Sequence, residues 1–187
     1  MMTRMRMMTG ALSIGVALCG AVTAAHGQSY PDTSSLPRTK AWLENDAAAL
    51  LSSRILNPSS PQAFSARHIS GITLSNCMLQ WTSTDTIVTA AGKQYDSETR
   101  YRLPMGKVNV SGIVVSELAP SPTRNVADLL VRLPARTSEG KIVERWVGAV
   151  AQPIIDLASL PVRARTDGMA VASALVRVAT ACGAPDR

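Results

Sequence analysis

A pair of cysteines set far apart, Cys77 and Cys182, limits how this chain can fold more than any other feature. Cys77 lies in the stretch Gly71 to Trp81, Gly-Ile-Thr-Leu-Ser-Asn-Cys-Met-Leu-Gln-Trp, the clearest strand signal in the sequence. Ile72 and Leu74 share one parity, while Cys77, Leu79 and Trp81 share the other. Strand side chains alternate faces with period two, so the phase slips at Ser75-Asn76. A turn or bulge there returns both apolar sets to one core. Cys182 closes a helical stripe of Val171, Ala174, Leu175 and Val178. At about 100° per residue, Cys182 returns to within about 20° of Val171 and faces the core. A sheet begun at the first stretch and closed by the second brings the two thiols together, closing a loop of about 105 residues.

Whether they join depends on the compartment. Met1 to Met8 carries Arg4 and Arg6 and no acid, and Gly10 to Ala25 is uncharged and apolar. Ala25 and Gly27 then supply a small-x-small site before Gln28. A basic start, an apolar run of roughly 15 residues and such a site describe a cleaved secretory signal over residues 1–27. The run is short of the roughly 20 apolar residues that span a bilayer, so no membrane span is expected after cleavage. Cys19 leaves with the signal, and the remaining two cysteines enter an oxidising periplasmic or extracellular space, where they pair. The Ala- and Arg-rich composition points to a bacterial chain.

The mature chain is long enough for one domain with its own core. Removing Arg4 and Arg6 from the 19 basic residues leaves 17 against 13 acidic ones. That mild excess reads as a solvated, Arg-rich surface, and in an exported chain it excludes nucleic acid as a partner.

In chain order, Gln28 to Arg38 reads as an irregular arm, and a helix capped by Thr39 runs to about Ser53. Leu43, Ala47, Leu50 and Leu51 mark its apolar face, bordered by Trp42. Asn57-Pro58-Ser59-Ser60-Pro61 stops it. Residues 28–61 therefore form an arm and helix, and residues 62–187 a single domain on which that helix packs. Strands are predicted over Ile69–Leu74, Cys77–Ser83 and Thr86–Ala91, with turns at Ser75-Asn76 and Thr84-Asp85. Gly92–Glu98 reads as a further turn. Tyr101, Leu103 and Met105 alternate as in a half-buried strand, and the β signal continues through Val108, Val110 and Ile113–Val115. Glu117–Asp128 reads as irregular. Leu129–Val150 reads as a hairpin with Glu139-Gly140 at its tip, pairing Leu133 with Trp146 and placing Arg132, Arg136 and Arg145 in one outer row. The closing helix spans about Asp167–Ala181, capped by Thr166 or Asp167 and ended by Gly183.

The fold class is thus α+β: an N-terminal helix, an antiparallel sheet of six to eight strands, and a C-terminal helix tied to it by Cys77–Cys182. This order resembles the layout of pleckstrin-homology domains, which implies a half-barrel and nothing about function.

No residue pattern specifies a reaction. One histidine, His68, remains in the mature chain, and no His-x-His, Cys-x-x-Cys or His-Glu-x-x-His occurs, so neither a metal nor another cofactor is expected. Ser138-Glu139-Gly140-Lys141 matches Ser-x-x-Lys but at a hairpin tip, not on the helix that chemistry needs. Glu44 with Asp46 shares no helix face, and Asp96 with Glu98 falls in a turn. His68 reads as a surface residue, and Trp42, Trp81 and Trp146 as core pillars. No catalytic residue is assigned. The expectation is a non-catalytic exported module that binds a protein or envelope component. The alternatives are a hydrolase assembled only in three dimensions and a carrier of a small apolar ligand between sheet and helix. Convergent acids near His68, a closed apolar cavity, or an exposed patch or edge strand would discriminate them.

Overall fold

The structure, a computed structural model, describes residues 35–57, 60–118 and 128–184. The expected signal segment, most of the arm and the middle of the stretch read as irregular lie outside the described residues. The elements are α1 (Leu36–Asn45), β1 (Ser52–Asn57), β2 (Ser60–Ser75), β3 (Met78–Val88), β4 (Gln94–Pro104), β5 (Val114–Leu118), β6 (Asp128–Pro134), β7 (Val143–Val147), β8 (Val150–Ile155), β9 (Leu157–Val162) and α2 (Arg165–Ala181). Among the described residues two helices bracket an antiparallel β fold, as expected, and nine strands divide into a six-stranded sheet, β1-β2-β3-β4-β7-β8, and a three-stranded one, β5-β6-β9.

The first helix starts earlier and stops sooner than its apolar stripe suggests. Ser35, not Thr39, is the N-cap: its hydroxyl accepts from the Arg38 amide, and Pro37 occupies the first turn, where a missing N–H costs nothing. The chain leaves α1 at Asp46, makes a 3-10 turn over Ala47–Leu50, and then enters β1. Leu43, Ala47, Leu50 and Leu51 are all buried as the stripe requires. Ser52 and Ser53, expected as the end of that helix, instead belong to β1, where Ser52 to Leu56 pairs with His68 to Phe64.

β2 and β3 form the central hairpin. Asn76 and Cys77 make its two-residue turn with φ of 48° and 58°, the left-handed pair that matches the twist of the flanking strands. The phase slip at Ser75-Asn76 is this turn, and Ile72, Leu74, Leu79 and Trp81 all reach the core. Thr84-Asp85 is not a turn. It pairs with Arg67 and His68 on one side and with Ser97 and Glu98 on the other. Threonine suits a half-solvated strand better than a turn, and the true reversal lies at Thr89–Lys93, where the Thr89 amide bonds the Lys93 carbonyl. Asp96 and Glu98, expected in a turn, therefore stand on β4.

The hairpin expected over Leu129–Val150 does not form. Leu133 pairs with Ala158 on β9, and Trp146 pairs with Arg100 on β4 and Ala151 on β8. The chain crosses from the small sheet to the large one at 135–142. The Arg136 amide bonds the Lys107 carbonyl, and Glu139 meets both Lys107 and Arg136. Alternation fixes which residues of a strand face inward but not which strand it meets. The expected arginine row dissolves with the register: Arg132 stands on the small sheet, Arg136 bonds the Gly106 carbonyl, and Arg145 shares the parity of buried Val143.

α2 extends two residues before its expected start, with Ala164 as N-cap, and Gly183 at φ 80° ends it. Val171, Ala174, Leu175 and Val178 are buried among Leu43, Leu79, Trp81 and Leu160, in one core with Val131 and Leu133. Each large side chain so buried contributes about 1.5–3 kcal/mol. Glu44 joins α1 to the sheet by accepting from the Leu74 amide at 2.7 Å, on a part of β2 that β1 does not reach. The Cys77–Cys182 disulfide, with α-carbons 5.6 Å apart, ties the central hairpin turn to the end of α2.

Candidate functional site

The large sheet has one face on the core and one open to solvent. On the open face, cross-strand registry builds two rows over the central strands. Thr73, Gln80, Arg102 and Glu144 form one, and Thr82, Arg100 and Trp146 form the other. Between β2 and β3 the register shifts after Ser70, where Gly71 adopts φ of 59°. A glycine in the left-handed region is one form of β-bulge, which bends its strand and sharpens the local twist. The bent sheet cups a groove of about 330 Å³ lined by Gly71, Thr73, Gln80, Thr82, Arg100, Arg102 and Trp146. Its floor is the backbone of Trp81 and Tyr101. Their rings alternate to the core side and stack there at 4.9 Å with planes 5° apart.

The groove is cationic and rich in hydrogen-bonding groups. Arg100 donates to the Gly148 carbonyl at 2.7 Å, and Arg102 meets Glu144 at 3.4 Å, so both guanidiniums are steered while remaining exposed. The Arg102 guanidinium lies 6.0 Å from the centre of the Trp146 ring, at the outer limit of a cation–π contact. Thr73, Gln80 and Thr82 have no side-chain partner among the described residues. Trp146, read from sequence as a core pillar, is half-buried on this open face, whereas Trp42 and Trp81 are core residues. Parity alone could not have found the site, because it needs the pairing of β4 with β7.

The residues singled out for chemistry do not converge. Cys77 and Cys182 are joined, which removes both as thiols. His68 is exposed on the open face, between Ser52 and Thr84 across the strands. Ser52 Oγ accepts from Arg163 Nε at 2.6 Å, and no hydrogen bond links it to His68. A donor on that oxygen opposes its use as a nucleophile. Ser138 and Lys141 lie in the crossing between sheets. Glu44 is committed to Leu74, and Asp96 accepts from Thr86 and Gln94, which hold its carboxyl below the ordinary 3.8. No group of three or more His, Cys, Asp or Glu residues that could hold a metal occurs among the described residues. The apolar gap between sheet and α2, lined by Leu43, Leu79, Trp81 and Leu175, measures about 10 Å³, room for a water molecule at most.

No protein-family model, curated protein or solved structure matches this chain.

Proposed function

We propose that this protein is an exported, non-catalytic binding domain of the bacterial cell envelope, and that the groove on the open face of the large sheet is its binding surface. The observation that carries the reading is the groove itself. Arg100, Arg102 and Trp146, on two adjacent strands, surround Thr73, Gln80 and Thr82, which have no side-chain partner among the described residues, and no His, Cys, Asp or Glu is among the lining residues. Such an array attracts an anionic ligand, orients it by hydrogen bonds and does no chemistry on it. Export is supported by the pattern of residues 1–27 and by a disulfide of the kind that oxidising compartments maintain. Among the described residues no helix is long and apolar enough to cross a membrane.

The edges of the sheets serve this role less well. β8 is exposed at Val150 and Ile154, an apolar edge that could pair with another strand, but Pro153 removes a backbone donor from its middle. The gap between sheet and α2 is too small for an apolar cargo, which weighs against a carrier.

The test is retention on isolated envelope fractions. The mature protein should bind them and be released by raised salt, as screened charge contacts require. The Arg100→Ala/Arg102→Ala double variant should stay in the soluble fraction, while Arg54→Ala, an exposed arginine elsewhere on the same sheet, should bind as the parent does. Retention of the double variant at parental levels would contradict the assignment.

A further inference from the structure

Taking the groove as a binding surface, and resting on that reading, we infer that its ligand is a saccharide bearing an anionic group, a carboxylate or a phosphate on a hydroxyl-rich ring. The floor rules out the commonest way a sheet takes a peptide. It lies over β3, β4 and β7, interior strands whose backbone groups face one another in the ladders Gln80–Arg102, Thr82–Arg100 and Arg100–Trp146, and over the stretch of β2 beyond the reach of β1, where Glu44 already accepts from the outward Leu74 amide. An added strand needs a free edge, and the one stretch of edge here, β2 beyond His68, has its Leu74 amide committed to Glu44, so recognition falls to side chains. Thr73, Gln80 and Thr82 each carry both a donor and an acceptor, the combination that matches sugar hydroxyls, which also donate and accept.

The two arginines supply the charge. They stand two positions apart on β4, about 7 Å along the strand, with side chains on the same face. Each spends part of its guanidinium on Gly148 or Glu144, which fixes its direction, and keeps the remaining N–H groups for an anion. A planar carboxylate or a phosphate accepts two parallel N–H groups from one guanidinium. Trp146 adds a half-buried apolar surface beside Arg102, against which the C–H face of a sugar ring can lie. The volume of about 330 Å³ is at the small end of ligand sites and suits a short saccharide segment rather than a folded partner.

Tryptophan fluorescence reads this directly. The chain has three tryptophans, and Trp42 and Trp81 are buried, so a ligand-dependent change in emission reports Trp146. The full mature protein is titrated with trigalacturonate, glucose 6-phosphate, maltotriose, inorganic phosphate and a glutamate-rich peptide. Saturable changes are expected with the first two, the one carrying carboxylates and the other a phosphate. Maltotriose, phosphate alone and the peptide should bind at least tenfold more weakly. Arg100→Gln and Arg102→Gln should each weaken trigalacturonate binding by tenfold or more with the circular dichroism spectrum unchanged, and Arg54→Gln should leave it as it is. Equal or tighter binding of the peptide or of maltotriose would overturn the ligand class while leaving the groove as the binding surface. No response to any probe, in a protein that still requires Arg100 and Arg102 to bind envelope fractions, would also overturn the saccharide and spare the binding reading.

Discussion

At Gly106 the chain passes so close to Cys182 that a methyl group would stand 2.6 Å from the Cys182 carbonyl oxygen. That oxygen is backbone and tied to the disulfide, so it cannot swing away as a flexible side chain would. The same neighbourhood holds the Met105 amide on the Cys77 carbonyl at 2.8 Å and Arg136 on the Gly106 carbonyl at 2.8 Å. Gly106→Ala should therefore lower stability by about 1–3 kcal/mol, the usual cost of forcing an extra methyl into a packed site, read as a drop in melting temperature. A second residue-scale effect concerns pH. Thr86 Oγ1 donates to Asp96 at 2.6 Å and the Gln94 amide at 2.8 Å, and together they depress the Asp96 carboxyl below 3.8. A group depressed on folding adds stability that is complete above its unfolded value and lost as pH falls through its folded one. Thr86→Val, which removes the larger cause, should move the Asp96 titration up towards 3.8. Carboxyl-detected NMR titration of parent and variant checks the shift, and an unchanged midpoint would mean that the hydrogen bond is not the cause.

Among the elements, what could be read from sequence follows from how local each signal is. The closing helix, its buried stripe and its glycine stop depend on near neighbours, and they are present within two residues of the expected bounds. The turn at Asn76-Cys77 was legible as a slip of phase, because apolar parity inverts across it. Ser52 and Ser53, expected at the end of the first helix, instead begin a strand, since β2 offers them an open edge. Leu133 and Trp146 each show the right alternation, but their partners, Ala158 and Arg100, are set by a crossing between sheets that no short window contains. The groove was hidden for the same reason. Arg100 and Arg102 read as the solvated side of a strand, and only the pairing of β4 with β7 brings Trp146 beside them. Both cysteines were legible as a pair because the strand phase at Cys77 and the helical stripe at Cys182 each turn the thiol towards one core.

Across the whole molecule, the disulfide closes the arrangement that these elements begin. It spans 105 positions, and the chain-entropy model gives such a loop about 4–5 kcal/mol of stabilisation, comparable to the net stability of many domains. Cys77→Ser and Cys182→Ser should lower the melting temperature by similar amounts, and the double variant should be little worse than either. Additive losses would show that each thiol contributes separately rather than through one bond. The bridge keeps α2 and the central hairpin together beneath the open face, so the groove depends on a sheet fixed from its other side. The most direct measurement of that central assignment is amide chemical-shift mapping of the mature protein with trigalacturonate added to saturation. The largest shifts are expected at Thr73, Gln80, Thr82, Arg100, Arg102 and the Trp146 indole N–H, with α2 and β8 unmoved. Shifts concentrated along the β8 edge from Val150 to Ile155, or on α2, would contradict it.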